Sequence, residues 1–179
     1  MPTDYLVFCF AGDPVFNALP IMKVTHYPYE PESYKPFAQG LLCMHDDALI
    51  ARLWAFESKP EAVSTLALSL KGPNERTFTL SVALSGAKEA LLDGAPCTLP
   101  LDIHPIAGED LQGEYWGIDL VISAEITAAL AIDRAKKGTL FNGNMYKLCE
   151  GIHPHFGSFF PAGGRNISAC PATFELTPF

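Results

Sequence analysis

Short segments in which aliphatic, β-branched and aromatic residues alternate with polar ones recur along this chain. Each is closed by Gly, Pro, Asn or Asp. A period of two broken at short intervals cannot be satisfied by helices, and it predicts an all-β sandwich or barrel rather than βαβ units. Helical spacing occurs once, from Ala124 to about Arg134, where Ile126 and Leu130 recur on one face and Ser123 stands ready as the N-cap.

Tyr5 to Ala11 reads as a first strand and Pro14 to Val24 as a second, interrupted at Pro20. Thr25 to Pro36 contains three prolines and is expected to cross the surface without regular structure. Gln39 to His45 and Leu49 to Glu57 flank an Asp46-Asp47-Ala48 turn, as in a hairpin. In the second of these strands Ile50, Arg52, Trp54 and Phe56 share one face and Ala51, Leu53 and Ala55 the other, so it is expected to be central. Trp54 and Trp116 lie within central strands, where a buried structural role is favoured over a ligand platform. Val63 to Leu70 and Arg76 to Leu84 form another hairpin, followed by a short Lys88 to Leu92 strand. Leu99 to Gln112 reads as a connection and Glu114 to Ser123 as a strong strand. The chain closes on a strand from Ala172 to Phe179, and neither a repeat nor a composition shift marks a second domain, so residues 1–179 are expected to form one.

Charge narrows the partners. The 12 Lys and Arg against 20 Asp and Glu leave a formal net charge of −8, which repels phosphate backbones and argues against nucleic acid and anionic membrane surfaces. No apolar run approaches the roughly 20 residues that cross a bilayer as a helix. The 5 cysteines are scattered without Cys-x-x-Cys spacing, which suggests reduced thiols. With no basic leader before Tyr5, a cytoplasmic location is expected.

Candidate ligand-contacting groups concentrate in the last quarter. Leu140 to Leu148 places Asn142, Asn144 and Tyr146 on one face and Phe141, Gly143, Met145 and Lys147 on the other. Two amides and a phenol both donate and accept and so suit sugar hydroxyls, although the same alternation describes a solvated sheet face. His153-Pro154-His155 follows Cys149 and Glu150, a spacing open to metal binding but also to structural histidines, with no second ligand pair elsewhere. Phe156, Phe159 and Phe160 either stack on sugar rings or plug the end of a core. Tyr27, Tyr29 and Tyr34 are further exposed candidates that could equally cover a sheet edge. No nucleophile elbow, phosphate-binding glycine loop, His-Glu-x-x-His helix or separated carboxylate pair is present, so catalysis has no sequence support.

Gly143-Asn-Met-Tyr-Lys147, His153-Pro-His-Phe-Gly-Ser158 and the terminal Phe174-Glu-Leu176 together resemble the C-terminal signature of carbohydrate-binding module family 9-like, DOMON-like β-sandwiches. Leu41 to Glu57 is similar to that family's strand-turn-strand block, and Gly113 to Ile122 to its Trp-Gly strand. The resemblance runs from about Gln39 to the end and implies an antiparallel, jelly-roll-like β-sandwich with one short helix. It also implies a non-catalytic module that takes a carbohydrate ligand; the residues expected to contact it, read from their own chemistry, are Asn142, Asn144, Lys147, His153, His155, Phe159, Phe160 and Arg165. Sugar-binding members clasp the ligand between two tryptophans, and the matching stretches here, Glu57 to Leu68 and Gly163 to Cys170, contain none. A scaffold domain docking a protein partner is therefore the alternative expectation. The resemblance implies no cofactor; calcium is structural in some relatives, but its ligands find no match in this sequence.

Overall fold

The computed structural model describes residues 2–29 and 34–179. Among these, the strands in chain order are β1 (Tyr5–Phe10), β2 (Met22–Val24), β3 (Phe37–His45), β4 (Ala48–Phe56), β5 (Thr65–Lys71), β6 (Thr77–Ala83) and β7 (Lys88–Leu92). They continue with β8 (Ala95–Pro96), β9 (Leu101–Asp110), β10 (Gly113–Ile122), β11 (Leu140–Cys149), β12 (His155–Ser158) and β13 (Ala172–Pro178). Hydrogen bonding links them in the order β8-β7-β6-β5-β11-β13-β1-β3-β4-β10-β9, with β12 on β11 and β2 on β3. The sheet curls into a β-sandwich. One core takes Leu42, Leu53, Ile118 and Leu120 from β3, β4 and β10, and Leu66, Leu68, Phe78 and Met145 from β5, β6 and β11.

The expected all-β sandwich with one helix is observed, but it is not wholly antiparallel. β1 lies parallel to both neighbours, with Tyr5 opposite Phe174 of β13 and Phe8 opposite Cys43 of β3. Parallel neighbours require a long crossover, and the stretch from residue 11 to 36 supplies it between β1 and β3. Tyr5 pins that junction: its hydroxyl donates to the Pro20 carbonyl at 2.7 Å and accepts from the Leu42 amide at 3.0 Å.

Three local expectations change for identifiable reasons. Pro14 to Val24 is not one strand but a 3-10 turn over Phe16–Ala18 followed by β2. Pro14 and Pro20 cannot donate to a ladder. Leu101–Asp110, read as a connection, is a full-length edge strand on β10, with Pro105 opposite Ile118. Proline is tolerated at an edge because its missing amide can face away from the partner. The helix α1 covers Ala124–Ala129 and stops well before Arg134, because Ala131 turns left-handed at φ 57°. Its N-cap is as expected, Ser123 Oγ accepting from the Ile126 amide at 3.4 Å. The predicted Asp46-Asp47 turn joins β3 to β4 with Asp46 at φ 51°, and Thr127 of α1 donates to the Asp47 carbonyl at 2.6 Å. Of the irregular crossing expected over Thr25 to Pro36, residues 30–33 lie outside the described residues; His26 bridges to Ser158 and Tyr27 is buried.

Glycine is needed where β11 meets β13. A Cβ on Gly143 would lie 2.5 Å from the Phe174 ring and 2.9 Å from the Ser69 carbonyl oxygen. Gly143→Ala is therefore expected to destabilise the protein by about 1–3 kcal/mol through overpacking. A lower urea midpoint at unchanged slope is the measurement that checks it.

Candidate functional site

Of the residues singled out in the last quarter, Lys147, His153 and His155 meet around Glu57 and Glu61, and Asn144, Lys147, His155 and Phe156 are buried. Lys147 follows Phe141, Gly143 and Met145 at period two, so the alternation of β11 drives its side chain into the interior. There Nζ lies 3.0 Å from Glu57 Oε1 and 2.8 Å from His155 Nε2, with neither the lysine nor the glutamate side chain exposed. Glu57, directly after β4, also accepts from Trp116 Nε1 at 2.6 Å and from Ser64 Oγ at 3.0 Å. His155 Nδ1 donates to the His153 carbonyl at 2.8 Å. Nε2 is then the bare nitrogen that accepts from the Lys147 ammonium. Burial, reinforced by Lys147, pushes His155 down to about 4 and keeps the ring neutral at physiological pH. Burial also pulls Lys147 below its ordinary range, against the opposing attraction of Glu57. A buried cation, a buried carboxylate and a neutral imidazole thus satisfy one another.

The loops are built on this cluster. Glu61 accepts from the Ile152 and His153 amides at 2.7 and 2.9 Å and from Cys149 Sγ at 3.4 Å. Those backbone amides hold its carboxyl below the usual range. Its carboxylate occupies the space over Gly151, where a Cβ would meet it at 2.2 Å. Burial pushes the Cys149 thiol up, away from thiolate character. Tyr34 closes the top: its ring lies 5.2 Å from His153 and 5.5 Å from His155, and its hydroxyl accepts from the Lys59 amide at 3.0 Å. Tyr27 flanks His155 from the other side at 6.4 Å, its ring over Gly157 and its hydroxyl donating to the Pro36 carbonyl. Exposed Tyr29 carries the Arg165 guanidinium 5.2 Å from its ring centroid.

This geometry revises the expected contacts residue by residue. Asn144, Lys147 and His155 are buried and engaged inside the protein, where they act as anchors for the surrounding strands and loops. Asn144 holds the following loop, donating to the Phe160 carbonyl and accepting from the Phe160 amide, both at 2.9 Å. Asn142, half-buried, donates to the Ala172 carbonyl at 3.1 Å. The outer face of β11 is covered rather than solvated: Tyr146 and Ser69 both donate to the Ala169 carbonyl, and Ala162 and Ile167 pack on the cluster of Ala67, Tyr146 and Phe156. Phe156 is a core residue, and Phe159 and Phe160 pack against the main core, Phe159 at 6.2 Å from Tyr5. His153, half-buried, and Arg165, exposed, remain at the surface, where Tyr29 and Tyr34 join them. Among the described residues no group of three or more His, Cys, Asp or Glu side chains is placed to hold a metal ion. Glu57, Glu61 and Ser64 were not recognised in advance. The available signal was a lysine on an otherwise apolar strand face, which requires a buried acid.

No family model matches the chain, and no curated protein matches it. Solved structures do: the architecture is that of carbohydrate-binding module family 9. A candidate carbohydrate-binding protein from Bacteroides uniformis superposes with a TM-score of 0.72 at 16% identity, over 96% of this chain and 98% of that one. A family 9 module from Caldicellulosiruptor kristjanssonii in complex with glucose gives 0.68 at 13% identity, over 97% and 96%. A module of that family from the same organism, in complex with cellotriose, gives 0.64 at 14%, over 97% and 94%.

Two outcomes follow from the buried cluster. His155 titrates near 4 when folded against 6.5 for the free side chain, so between these values the unfolded chain holds more protons. Its contribution is present above about pH 6.5 and is lost as pH falls toward 4, by about 3 kcal/mol in all. Urea melts across this range should show the loss in the wild type and a flatter profile in His155→Gln. Lys147→Met strands a buried carboxylate and is expected to cost about 3–5 kcal/mol. Adding Glu57→Gln to it should cost less than the sum of the two single substitutions, a coupling that a double-mutant cycle measures.

Proposed function

We propose that this protein is a non-catalytic carbohydrate-binding module whose ligand sits against the rim formed by Tyr34 and His153, with Tyr29 and Arg165 beside it. The observation that carries this reading is the support beneath the rim. Tyr34 and His153 rest on the buried Glu57–Lys147–His155 cluster and on Glu61, so their rings are held before a ligand arrives. A fixed aromatic face next to fixed polar groups matches the chemistry of a sugar ring, whose axial C–H bonds stack while its hydroxyls donate and accept. The solved structures of this fold in complex with glucose and cellotriose support the same ligand class. The rim replaces the tryptophan pair missing from Glu57 to Leu68 and from Gly163 to Cys170 with tyrosine and histidine, which predicts modest affinity.

Calorimetry against glucose, cellotriose, xylotriose and mannotriose tests the proposal. Saturable binding by at least one is expected, weakened at least about tenfold by Tyr34→Ala or His153→Ala, which is ~1.4 kcal/mol. Absence of binding by all four at millimolar concentration overturns it.

A further inference from the structure

A second arrangement of aromatic and polar groups lies on the outer face of β4 and β10, away from the loops just described. Arg52 and Trp54 project outward from β4, half-buried, opposite Asp119 and Gly117 of β10. Gly117 is required there, since a Cβ at that position would lie 2.7 Å from Trp54 Cβ and 2.2 Å from the Leu53 carbonyl oxygen. Its absence leaves room for the indole on the sheet face. Arg52 is held flat by a bidentate pair with Asp119, Nε to Oδ1 at 2.7 Å and a terminal nitrogen to Oδ2 at 2.9 Å. Its guanidinium carbon stands 5.5 Å from the Phe16 ring centroid.

Arg52, Trp54 and Phe16 line a groove of about 340 Å³. The 3-10 turn bearing Phe16 and Asn17 forms one wall; Tyr115 and Asp110 at the β9–β10 hairpin complete the lining. The turn is anchored, because Leu19 and Leu41 join Phe10 and Cys43 in a small core beneath it. The cavity is therefore preformed. It combines an indole surface with a guanidinium, one carboxylate, an amide and a phenol.

We infer that this groove is a second carbohydrate site, selective for neutral saccharides, distinct from the rim of Tyr34 and His153. The electrostatics decide the ligand class. Arg52 is already neutralised by Asp119, and Asp110 adds a further negative charge on a chain of net charge −8. Uronates and phosphates are repelled, whereas a neutral sugar can stack on Trp54 and share its hydroxyls among Asp110, Asn17, Tyr115 and the remaining guanidinium N–H groups.

The Tyr34→Ala/His153→Ala protein isolates this groove from the proposed rim. Trp116 is buried and lies outside this groove, so Trp54 is the indole that a ligand in the groove can reach. Cellotriose, xylotriose or mannotriose should shift the emission of that protein and protect Trp54 from acrylamide quenching, and a further Trp54→Ala change should weaken binding at least about tenfold by calorimetry. Asp110→Lys, an exposed substitution that leaves the core untouched, should raise the affinity for trigalacturonate relative to the neutral trimers. Loss of all neutral-sugar binding in the Tyr34→Ala/His153→Ala protein overturns the groove while leaving the rim standing. Binding removed by Trp54→Ala but untouched by Tyr34→Ala/His153→Ala overturns the rim and supports the groove. Equal wild-type affinity for trigalacturonate and the neutral trimers overturns the ligand class.

Discussion

The end of this sandwich depends on one buried ionic contact, Lys147 Nζ to Glu57 Oε1 at 3.0 Å. Moving both charges out of water costs several kcal/mol per ion, so the pair depends on the further hydrogen bonds that each ion makes. Trp116 and Ser64 occupy the carboxylate, and His155 receives the ammonium. Through these partners the contact joins the end of β4, the middle of β10, β11, β12 and the turn before β5. Hydrophobic contacts alone would hold those elements together. They would not set the rotation of the 150–155 loop, whose backbone is instead fixed by the His155 bond to the His153 carbonyl and by Glu61.

The same constraint gives described loop residues that lack regular structure fixed partners. Tyr27 lies on Gly157 and Tyr34 against both histidines, so the chain between β2 and β3 is tied to the β11–β12 hairpin at both residues. At the opposite margin, β1 lies between β13 and β3 in parallel. The first and last strands thereby bridge the two layers, and Tyr5, bonded to Pro20 and Leu42, packs on Phe159 and Phe174. The aromatic loop and the bridging strands thus share a single packed surface.

Strand periodicity made most of the fold legible. The β3–β4 and β5–β6 hairpins, the β10 strand, the helix cap at Ser123 and the closing β13 all follow from alternation and turn chemistry. β9 was hidden because Pro105 reads as a breaker, and only its place at the sheet edge makes proline acceptable. The parallel setting of β1 was hidden as well, since a residue pattern records which face points inward but not the direction of the neighbour. The polar and aromatic groups of the last quarter were legible as candidates, whereas their burial was not. Asn144, Lys147 and His155 are polar residues in a ligand-like pattern, yet what covers a sheet face is decided by a distant loop: Ala162, Ile167 and Ala169 lie over β11.

Polar side chains in a strand therefore need a test that separates anchors from contacts, and the partner's identity supplies it. Lys147 and His155 bond to groups as buried as themselves, and Asn144 uses its amide to mimic a neighbouring strand for Phe160. Arg52 and Asp119 satisfy each other too, but their side chains remain 38% and 37% exposed, and the guanidinium keeps N–H groups that the pair does not consume. Trp54 differs from Trp116 in the same way. The Trp116 indole nitrogen is used up by Glu57 inside the protein, whereas Trp54 lies on the sheet face because Gly117 gives it space. A large aromatic surface left half-uncovered beside a fixed polar pair costs solvation that the fold does not recover by itself, and a ligand with one apolar and one hydroxylated face recovers it on binding.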